Sequence, residues 1–207
     1  MKNVPYSFIV RRLATILSVV ILSLSLIAAI TGILLSFYYE PTAGGAYNSL
    51  RLIKSEIPNG WLIQRLHEIA GNALIGASLI EIVVMFLGEK FRSSWLTAWI
   101  SGILLTLTAI ALSWTAMLLD WTQLGYWRFQ IELGTIEAIP VIGSLLRTIL
   151  TGGGAVNTVT VSHLYALHSY ILSFGALVLA VIHLGGLLFQ EKEEKQALVE
   201  SETNLSF

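Results

Sequence analysis

The chain has 207 residues, of which 55% are apolar and only 12% are charged. Soluble domains carry about 25% charged residues, so this composition excludes an ordinary soluble globular protein. A formal net charge of −1 provides no electrostatic basis for nucleic-acid binding. Cysteine is absent, which excludes disulfides, cysteine-ligated zinc, iron–sulfur clusters and thioether-attached haem. An integral membrane protein remains, with four histidines and thirteen acidic residues for any chemistry.

Four apolar segments are long enough to cross a membrane, which takes about 20 residues of helix. The fourth follows a run of three glycines, Gly152–Gly154, which we expect to separate it from the preceding segment. The predicted spans, in chain order, are residues 13–38, 61–88, 93–119 and 161–189. We therefore predict an all-α four-helix membrane bundle over residues 1–190, followed by a polar tail over residues 191–207.

The distribution of Lys and Arg predicts the orientation. Seven lie at the two ends and between the second and third spans: Lys2, Arg11, Arg12, Lys90, Arg92, Lys192 and Lys195. Five lie on the other side: Arg51, Lys54, Arg65, Arg128 and Arg147. We expect both termini on the cytoplasmic (n) side, and the loops at residues 41–60 and 120–160 on the outer side.

Residues 120–160 are too long for a tight turn and too apolar for a linker. We predict two short helices here, at residues 121–133 and 138–150, lying in the membrane interface. The aromatic residues expected at headgroup depth are Trp121, Tyr126 and Trp127.

The second and fourth spans each carry two ionisable residues at matching spacing. His67 is followed after 14 residues by Glu81, and His168 after 15 residues by His183. At about 100° per residue these steps rotate by about −40° and +60°, so each pair stays on one helix face. His67 and His168 form an outer tier, and Glu81 and His183 an inner tier, about 21 to 22 Å apart along the axis.

Spacing alone leaves the chemistry of these tiers open. Facing histidines in a helical bundle suit a haem iron with two axial imidazole ligands. Histidines inside a membrane also serve in proton relays or as hydrogen-bonded packing residues. His163 lies about 140° round the helix from His168, off the shared face, and we favour an interface role for it.

Several motifs resemble the cytochrome b family, most closely its chloroplast and cyanobacterial b-six form, over about residues 13–190. These motifs are FYYEPT at 37–42, AYNSLRLIKSEI at 46–57, GWLIQRLH at 60–67, DWTQLGYW at 120–127 and EAIPVIGS at 137–144. The 15-residue spacing between His168 and His183 also resembles the b-six form.

The resemblance implies that His67 and His168 ligate the outer haem b. Gly32 matches a family glycine that lets the porphyrin pack against a helix backbone. Ala116 stands where the family has the partner glycine, and Arg65 is a substitute for family arginines that are missing. Those arginine positions are occupied here by Gln64 and His163.

The inner tier departs further from the family. His183 and Gly102 remain, but Glu81 stands where the family has a second histidine, and Ser18 where it has a glycine. Two family arginine positions carry Val84 and Trp95.

Glu81 leaves three alternatives open. The inner haem is held by His183 with at most weak help from Glu81, or it is absent and Glu81 is a protonated or hydrogen-bonded acid. In the third alternative, Glu81 and His183 both ligate the iron. A bare carboxylate in the membrane costs several kcal/mol, so Glu81 must be protonated, paired or metal-bound.

The resemblance implies a membrane haem b subunit of a quinol-oxidising complex, with quinone or quinol as its redox partner and no catalytic residue of its own. The implied partners are a Rieske iron–sulfur protein and a membrane subunit carrying a PEWY motif, in a homodimeric complex. The alternatives are a single-haem subunit that feeds another oxidoreductase and a non-catalytic anchor or assembly subunit.

Overall fold

The computed structural model describes residues 6–88 and 96–204, and within these ranges the chain forms helices and no strands. Four helices are long: α1 Tyr6–Ser36, α3 Gly60–Leu87, α4 Leu96–Leu119 and α8 Ser173–Asn204. Four are shorter: α2 Ala46–Glu56, α5 Gln123–Glu137, α6 Gly143–Thr151 and α7 Thr158–Ala166. The predicted all-α class is confirmed, and α8 continues into the polar tail.

Four helical stretches within the described residues are long and apolar enough to cross a membrane. They are Arg12–Ser36, Gly60–Leu87, Leu96–Leu119 and Thr158–Glu193. Only a minority of the residues in each stretch are buried within the chain. Large apolar side chains therefore face outwards along all four, as expected where the surroundings are lipid rather than water.

The fourth span contains a π-helical segment, Leu167–Leu172, between α7 and α8. A π-helical turn holds about one residue more than an α-helical turn, and such turns are frequent at functional sites. His168 lies inside this segment. The extra residue accounts for the 15-residue step from His168 to His183, which corresponds to 14 residues of regular helix.

One compact unit consists of the described residues of 1–26, 73–108 and 175–207, which belong to α1, α3, α4 and α8. Its buried apolar cluster is formed by Val10, Ala14, Val84, Met85, Ala98 and Leu187. At the edge of this unit, the Thr15 hydroxyl donates to the Glu191 carboxylate, and Arg12 Nη1 lies 3.8 Å from the same carboxylate. These polar contacts tie the beginning of α1 to α8.

The second compact unit consists of residues 27–72 and 109–174. The short helices α2, α5, α6 and α7 all belong to it. Its buried apolar cluster is Leu118, Phe129, Leu133, Val156 and Leu164, to which α4, α5 and α7 contribute. The helices α5 and α6 lie in the segment for which the sequence predicts two short helices.

The boundaries of these short helices follow from local chemistry. The Thr122 side chain accepts a hydrogen bond from the Gly125 amide at 3.1 Å and begins α5. Gly152 ends α6 with a positive φ of 74°, a conformation that a side chain disfavours. Asn157 begins α7 by accepting from the Val159 amide at 2.8 Å.

Helix α2 lies in a stretch that the sequence analysis treats only as a loop. Ala46, Ser49 and Ile53 are its buried residues, at steps of three and four. That spacing is typical of an amphipathic helix with one buried face, and it is a signal that the sequence analysis missed.

Candidate functional site

The structure brings together the two histidines predicted to form the outer tier. The ring centroids of His67 on α3 and His168 in the π-helical segment are 6.2 Å apart, with an angle of 60° between the rings. Both side chains are only partly buried. The two imidazoles therefore lie close together, and neither is fully buried.

The ring of His67 is fixed by α1. Its Nδ1 lies 2.9 Å from the carbonyl oxygen of Ala28 and 3.2 Å from the hydroxyl of Thr31. A carbonyl oxygen can only accept, so Nδ1 carries the proton and donates it. In the neutral ring, Nε2 is consequently the nitrogen with a free lone pair.

The ring of His168 is fixed by α4 in the same way. Its Nδ1 lies 3.0 Å from the carbonyl oxygen of Leu112 and 2.9 Å from the hydroxyl of Thr115. The backbone carbonyl again assigns the proton to Nδ1 and leaves Nε2 as the lone-pair nitrogen. Histidines that bind metals commonly donate their other ring N–H to an outer partner of this kind.

The outer tier fits the haem that the sequence resemblance implies. A metal bound at about 2 Å by one nitrogen of each ring needs ring centres about 6 Å apart. The observed separation of 6.2 Å between His67 and His168 meets that requirement. Neither ring is fully enclosed by the described chain, as a site that borders a further group requires.

Gly32 makes the approach of His67 to α1 possible. A Cβ atom on Gly32 would lie 3.0 Å from Cε1 of the His67 ring, a contact that forces the ring to move. The family resemblance implies that Gly32 packs against the porphyrin, whereas its neighbour in the structure is the imidazole of His67. On α4, Ala116 occupies the matching position, and the hydrogen bonds to His168 come from Leu112 and Thr115.

The inner-tier histidine repeats this arrangement. His183 Nδ1 on α8 lies 2.9 Å from the carbonyl oxygen of Ala98 and 3.4 Å from the hydroxyl of Ser101, both on α4. A Cβ atom on Gly102 would lie 2.9 Å from Cε1 of His183. His183 therefore has the same protonation pattern as the two outer histidines.

All three histidines use one backbone pattern: an acceptor carbonyl, a hydroxyl residue three positions later and Gly or Ala in the next position. The three sets are Ala28, Thr31 and Gly32; Leu112, Thr115 and Ala116; and Ala98, Ser101 and Gly102. Side chains on a helix tilt towards its N-terminus, so a small fourth residue leaves the carbonyl accessible. Each hydroxyl also donates to that same carbonyl. Sequence reasoning missed the hydroxyls, although Ser or Thr directly before Gly or Ala is a visible signal.

The fourth position, opposite Glu81, breaks the pattern. Ser18 on α1 donates its hydroxyl hydrogen to Glu81 Oε1 at 3.4 Å. Glu81 Oε1 also lies 3.5 Å from His183 Nε2. An ionised carboxylate accepts hydrogen bonds where an imidazole N–H donates one, so α1 offers a hydroxyl donor here instead of an exposed carbonyl.

The inner tier is closed. Glu81 and His183 are each 1% exposed, in contrast to the partly exposed histidines of the outer tier. Val84, which occupies a family arginine position, belongs to the adjacent buried apolar cluster. Trp95, at the other such position, lies outside the described residues.

Three further residues lie within five positions of the outer histidines along the chain: Arg65, a predicted site residue, and Gln64 and His163, which occupy family arginine positions. Arg65 Nη1 is 3.2 Å from Glu68 Oε2 and is exposed, so its cation is paired within α3. Gln64 is buried and donates to Glu68, and its Oε1 has no hydrogen-bond partner in the described chain. His163 is exposed and its Nδ1 lies 2.9 Å from the carbonyl of Ile149.

The pKa values of Asp120 and Tyr39 are shifted in the same direction. Burial, followed by the negative charge of Glu68, raises the pKa of the Asp120 carboxyl, and Lys54 opposes the shift. Burial and the charge of Asp120 raise the pKa of Tyr39, whose hydroxyl donates to the carbonyl of Leu119 at 2.8 Å. The fold therefore makes loss of the proton from either group less favourable than in a free side chain.

Comparison with known proteins identifies similar chains. The family model described as Cytochrome b/b6/petB matches residues 1–191. The cytochrome b6 of Mastigocladus laminosus is 32% identical over 158 residues, which are 76% of this chain and 74% of that protein. The cytochrome b6 of Acaryochloris marina is 32% identical over 153 residues, which are 74% and 71% of the two chains.

Among solved structures, a chain of a hyperthermophilic respiratory complex III is similar, with a TM-score of 0.69 and 29% identity. The match covers 90% of this chain and 48% of that chain. The chain described here thus spans about half the length of that structural relative.

Gly32→Ala tests the constraint that His67 imposes on α1. The added methyl group has to displace a ring held by Ala28 and Thr31, so we expect a lower unfolding temperature, measured by tryptophan fluorescence in detergent. Gly71→Ala is the matched control, because a Cβ there meets no atom within 4 Å. In a helix interior, Ala is favoured over Gly by about 1 kcal/mol, so the control should be unchanged or more stable. Equal behaviour of both variants would contradict this role of Gly32.

Proposed function

Because the chain belongs to the cytochrome b/b6 family, we propose that it is an electron-transfer subunit of a quinol-oxidising Rieske/cytochrome b-type complex. It is an integral membrane protein, and we assign it haem b at the outer tier. The observation that carries this proposal is the geometry of His67 and His168, whose ring centres are 6.2 Å apart. Each ring donates Nδ1–H to a backbone carbonyl, so each keeps Nε2 for iron.

Bound haem supplies a centre that gains and loses one electron at a time. The work of this chain is to hold that centre in place. Ala28 and Leu112 orient the two imidazoles through their carbonyls, while Thr31 and Thr115 add a second acceptor to each Nδ1–H. Outer partners of this kind fix the ring orientation and increase the basicity of a histidine ligand. Gly32 provides the space that the His67 ring requires.

The oxidation of quinol requires partner subunits. We propose that a Rieske iron–sulfur protein and a membrane subunit with a PEWY motif complete the quinol site, in a homodimeric complex. The inner tier is altered in this assembly, because Glu81 replaces the histidine needed for an ordinary bis-histidine haem. Arg65, which is paired with Glu68, is proposed to stabilise negative charge at the rim of the outer site.

Glu81 also favours a second candidate function. A single-haem subunit that passes electrons from quinol to a different oxidoreductase needs only the outer tier. The partner proteins separate the two candidates, because only the first requires a Rieske protein.

His67→Ala and His168→Ala test the outer haem. Each variant removes one axial ligand, so we expect loss of the low-spin optical and EPR signals of the purified protein and at least one haem fewer per chain. His163→Ala is the control, since His163 is exposed and bonded to the Ile149 carbonyl. It should retain the wild-type spectrum. A His67 or His168 variant with unchanged low-spin signals would remove the assignment.

Purification through an affinity tag tests the partners. We expect the chain, solubilised gently from its native membrane, to bring with it a reduced Rieske EPR signal and a PEWY-containing subunit detected by mass spectrometry. Added quinol should reduce the haem in that preparation. Quinol-reducible haem without any Rieske protein would favour the single-haem candidate instead.

Cysteine labelling tests the orientation, since the native chain has no thiol. We propose that both termini lie on the cytoplasmic (n) side, as the arginines before the first span indicate. Lys195→Cys should react with a membrane-impermeant maleimide only after permeabilisation, whereas Ser55→Cys should react in intact cells. Both residues are exposed, so access to the thiol reports the side of the membrane. The reverse labelling pattern would show the opposite orientation.

A further inference from the structure

At the inner tier, Glu81 and His183 are in direct contact, and both are side chains of types that bind metal ions. We propose that this tier binds no haem, and that Glu81 and His183 instead form a closed contact held by a shared proton. The inference rests on the proposed function in one respect, since it makes the outer haem the only iron centre of this chain.

Two hydrogen-bond acceptors face each other at the inner tier. His183 donates its Nδ1–H to the Ala98 carbonyl, so neutral His183 presents a lone pair at Nε2. Glu81 Oε1 lies 3.5 Å from that nitrogen, and an ionised carboxylate also presents lone pairs. Two acceptors repel each other at this distance in a medium of low dielectric constant. A positive species has to lie between them, and the choice is a proton or a metal ion.

The separation of those two atoms is short for a bound metal. Metal–nitrogen and metal–oxygen bonds of about 2 Å each place two opposite ligand atoms about 4 Å apart. The observed 3.5 Å between Glu81 Oε1 and His183 Nε2 is shorter than this, and it exceeds the upper end of the N–H···O range, about 3.2 Å. The distance is closer to that of a hydrogen bond than to that of two ligands on opposite sides of an iron atom.

The surroundings of Glu81 and His183 are closely packed. A porphyrin extends far beyond its iron, so both axial ligands must border an open slot. Glu81 and His183 are instead 1% exposed, and side chains about one turn away in both directions are buried on all four helices. These side chains are Ala14 and Ile21 on α1, Ser78 and Met85 on α3, Ala98 and Leu105 on α4, and Ala180 and Leu187 on α8. The packing leaves no slot at this tier.

Ser18 provides a hydrogen-bond donor for Glu81. At the outer tier α1 presents a carbonyl and a glycine to a histidine, whereas at the inner tier it presents a hydroxyl to Glu81. The hydroxyl group that α1 presents at the inner tier is therefore matched to a carboxyl group that accepts a hydrogen bond. If Glu81 only replaced a lost haem ligand and had no role of its own, it would not require a hydrogen-bond donor such as Ser18.

Without an inner haem, an electron received at the outer tier has no second iron within this chain. The acceptor is then a redox group of a partner subunit or a quinone bound at an interface with one. This distinguishes the chain from a subunit with two bis-histidine haems.

Haem content tests the proposal directly. A pyridine haemochrome assay on the purified complex should give one haem b for each copy of this chain, after subtraction of haem on other subunits identified by mass spectrometry. His183→Ala should keep that ratio and the low-spin signals of the outer haem. His67→Ala, the comparison variant, should lose them.

A double-mutant cycle tests the contact without reference to haem. Glu81→Leu and His183→Leu each leave the other polar group buried without its partner, so each should lower the unfolding temperature. The double variant should lose less than the sum of the two single variants. Additive losses would show that the two side chains do not stabilise each other, and would overturn the shared proton.

The outcomes separate this inference from the proposed function. Two haems per chain, or loss of one haem in His183→Ala, would overturn the closed inner tier and leave the quinol-oxidising role intact. Absence of haem from the wild-type chain would overturn the proposed function, while the mutant cycle would still decide whether Glu81 and His183 are in contact.

Discussion

Three histidines on membrane spans depend on one hydrogen bond each, from Nδ1–H to a backbone carbonyl of another helix. In a hydrocarbon environment an unpaired N–H costs several kcal/mol, so each imidazole needs an acceptor from the protein. The carbonyls of Ala28, Leu112 and Ala98 supply it at 2.9 to 3.0 Å. The bond fixes the ring, selects the tautomer with the proton on Nδ1 and leaves the Nε2 lone pair available. The small residues and hydroxyls on α1 and α4 follow from this requirement.

The two tiers differ because a carboxyl group reverses the hydrogen-bonding roles. A histidine on α3 donates to the α1 backbone, while Glu81 receives a hydrogen bond from Ser18. The same reversal brings two acceptors together at the inner tier, whereas His67 and His168 at the outer tier have ring centres 6.2 Å apart and are only partly buried. On α3, a histidine that donates a hydrogen bond stands at the outer tier, and Glu81, which accepts one, stands at the inner tier. This difference accompanies partly buried side chains at the outer tier and fully buried ones at the inner tier.

The short helices of the described chain all lie in the unit of the outer tier. Helices α2, α5, α6 and α7 all belong to the compact unit that contains His67 and His168. Phe129 and Leu133 of α5 are buried against Leu118 at the end of α4, and Leu164 of α7 joins the same cluster. Packing of this kind holds the ends of the helices that carry the outer histidines and the Leu112 carbonyl. The carboxyl of Asp120, whose pKa is raised mainly by burial, lies at the end of the same helix.

The sequence by itself determined the all-α class, the four spans and the spacing of the ionisable residues, because hydropathy and helical periodicity are properties of local residue order. It also indicated the two short helices at α5 and α6. It did not predict α2, although the buried residues of that helix lie at steps of three and four, or the π-helical turn at His168, since an extra residue in a helix has no compositional sign. Only the tertiary structure decided which carbonyls hold the histidines, because every residue carries a carbonyl and no side chain identifies the one that is used. The burial of Glu81 against His183 was likewise a matter of packing, since sequence spacing places two groups on facing helices but does not determine whether the space between them stays open.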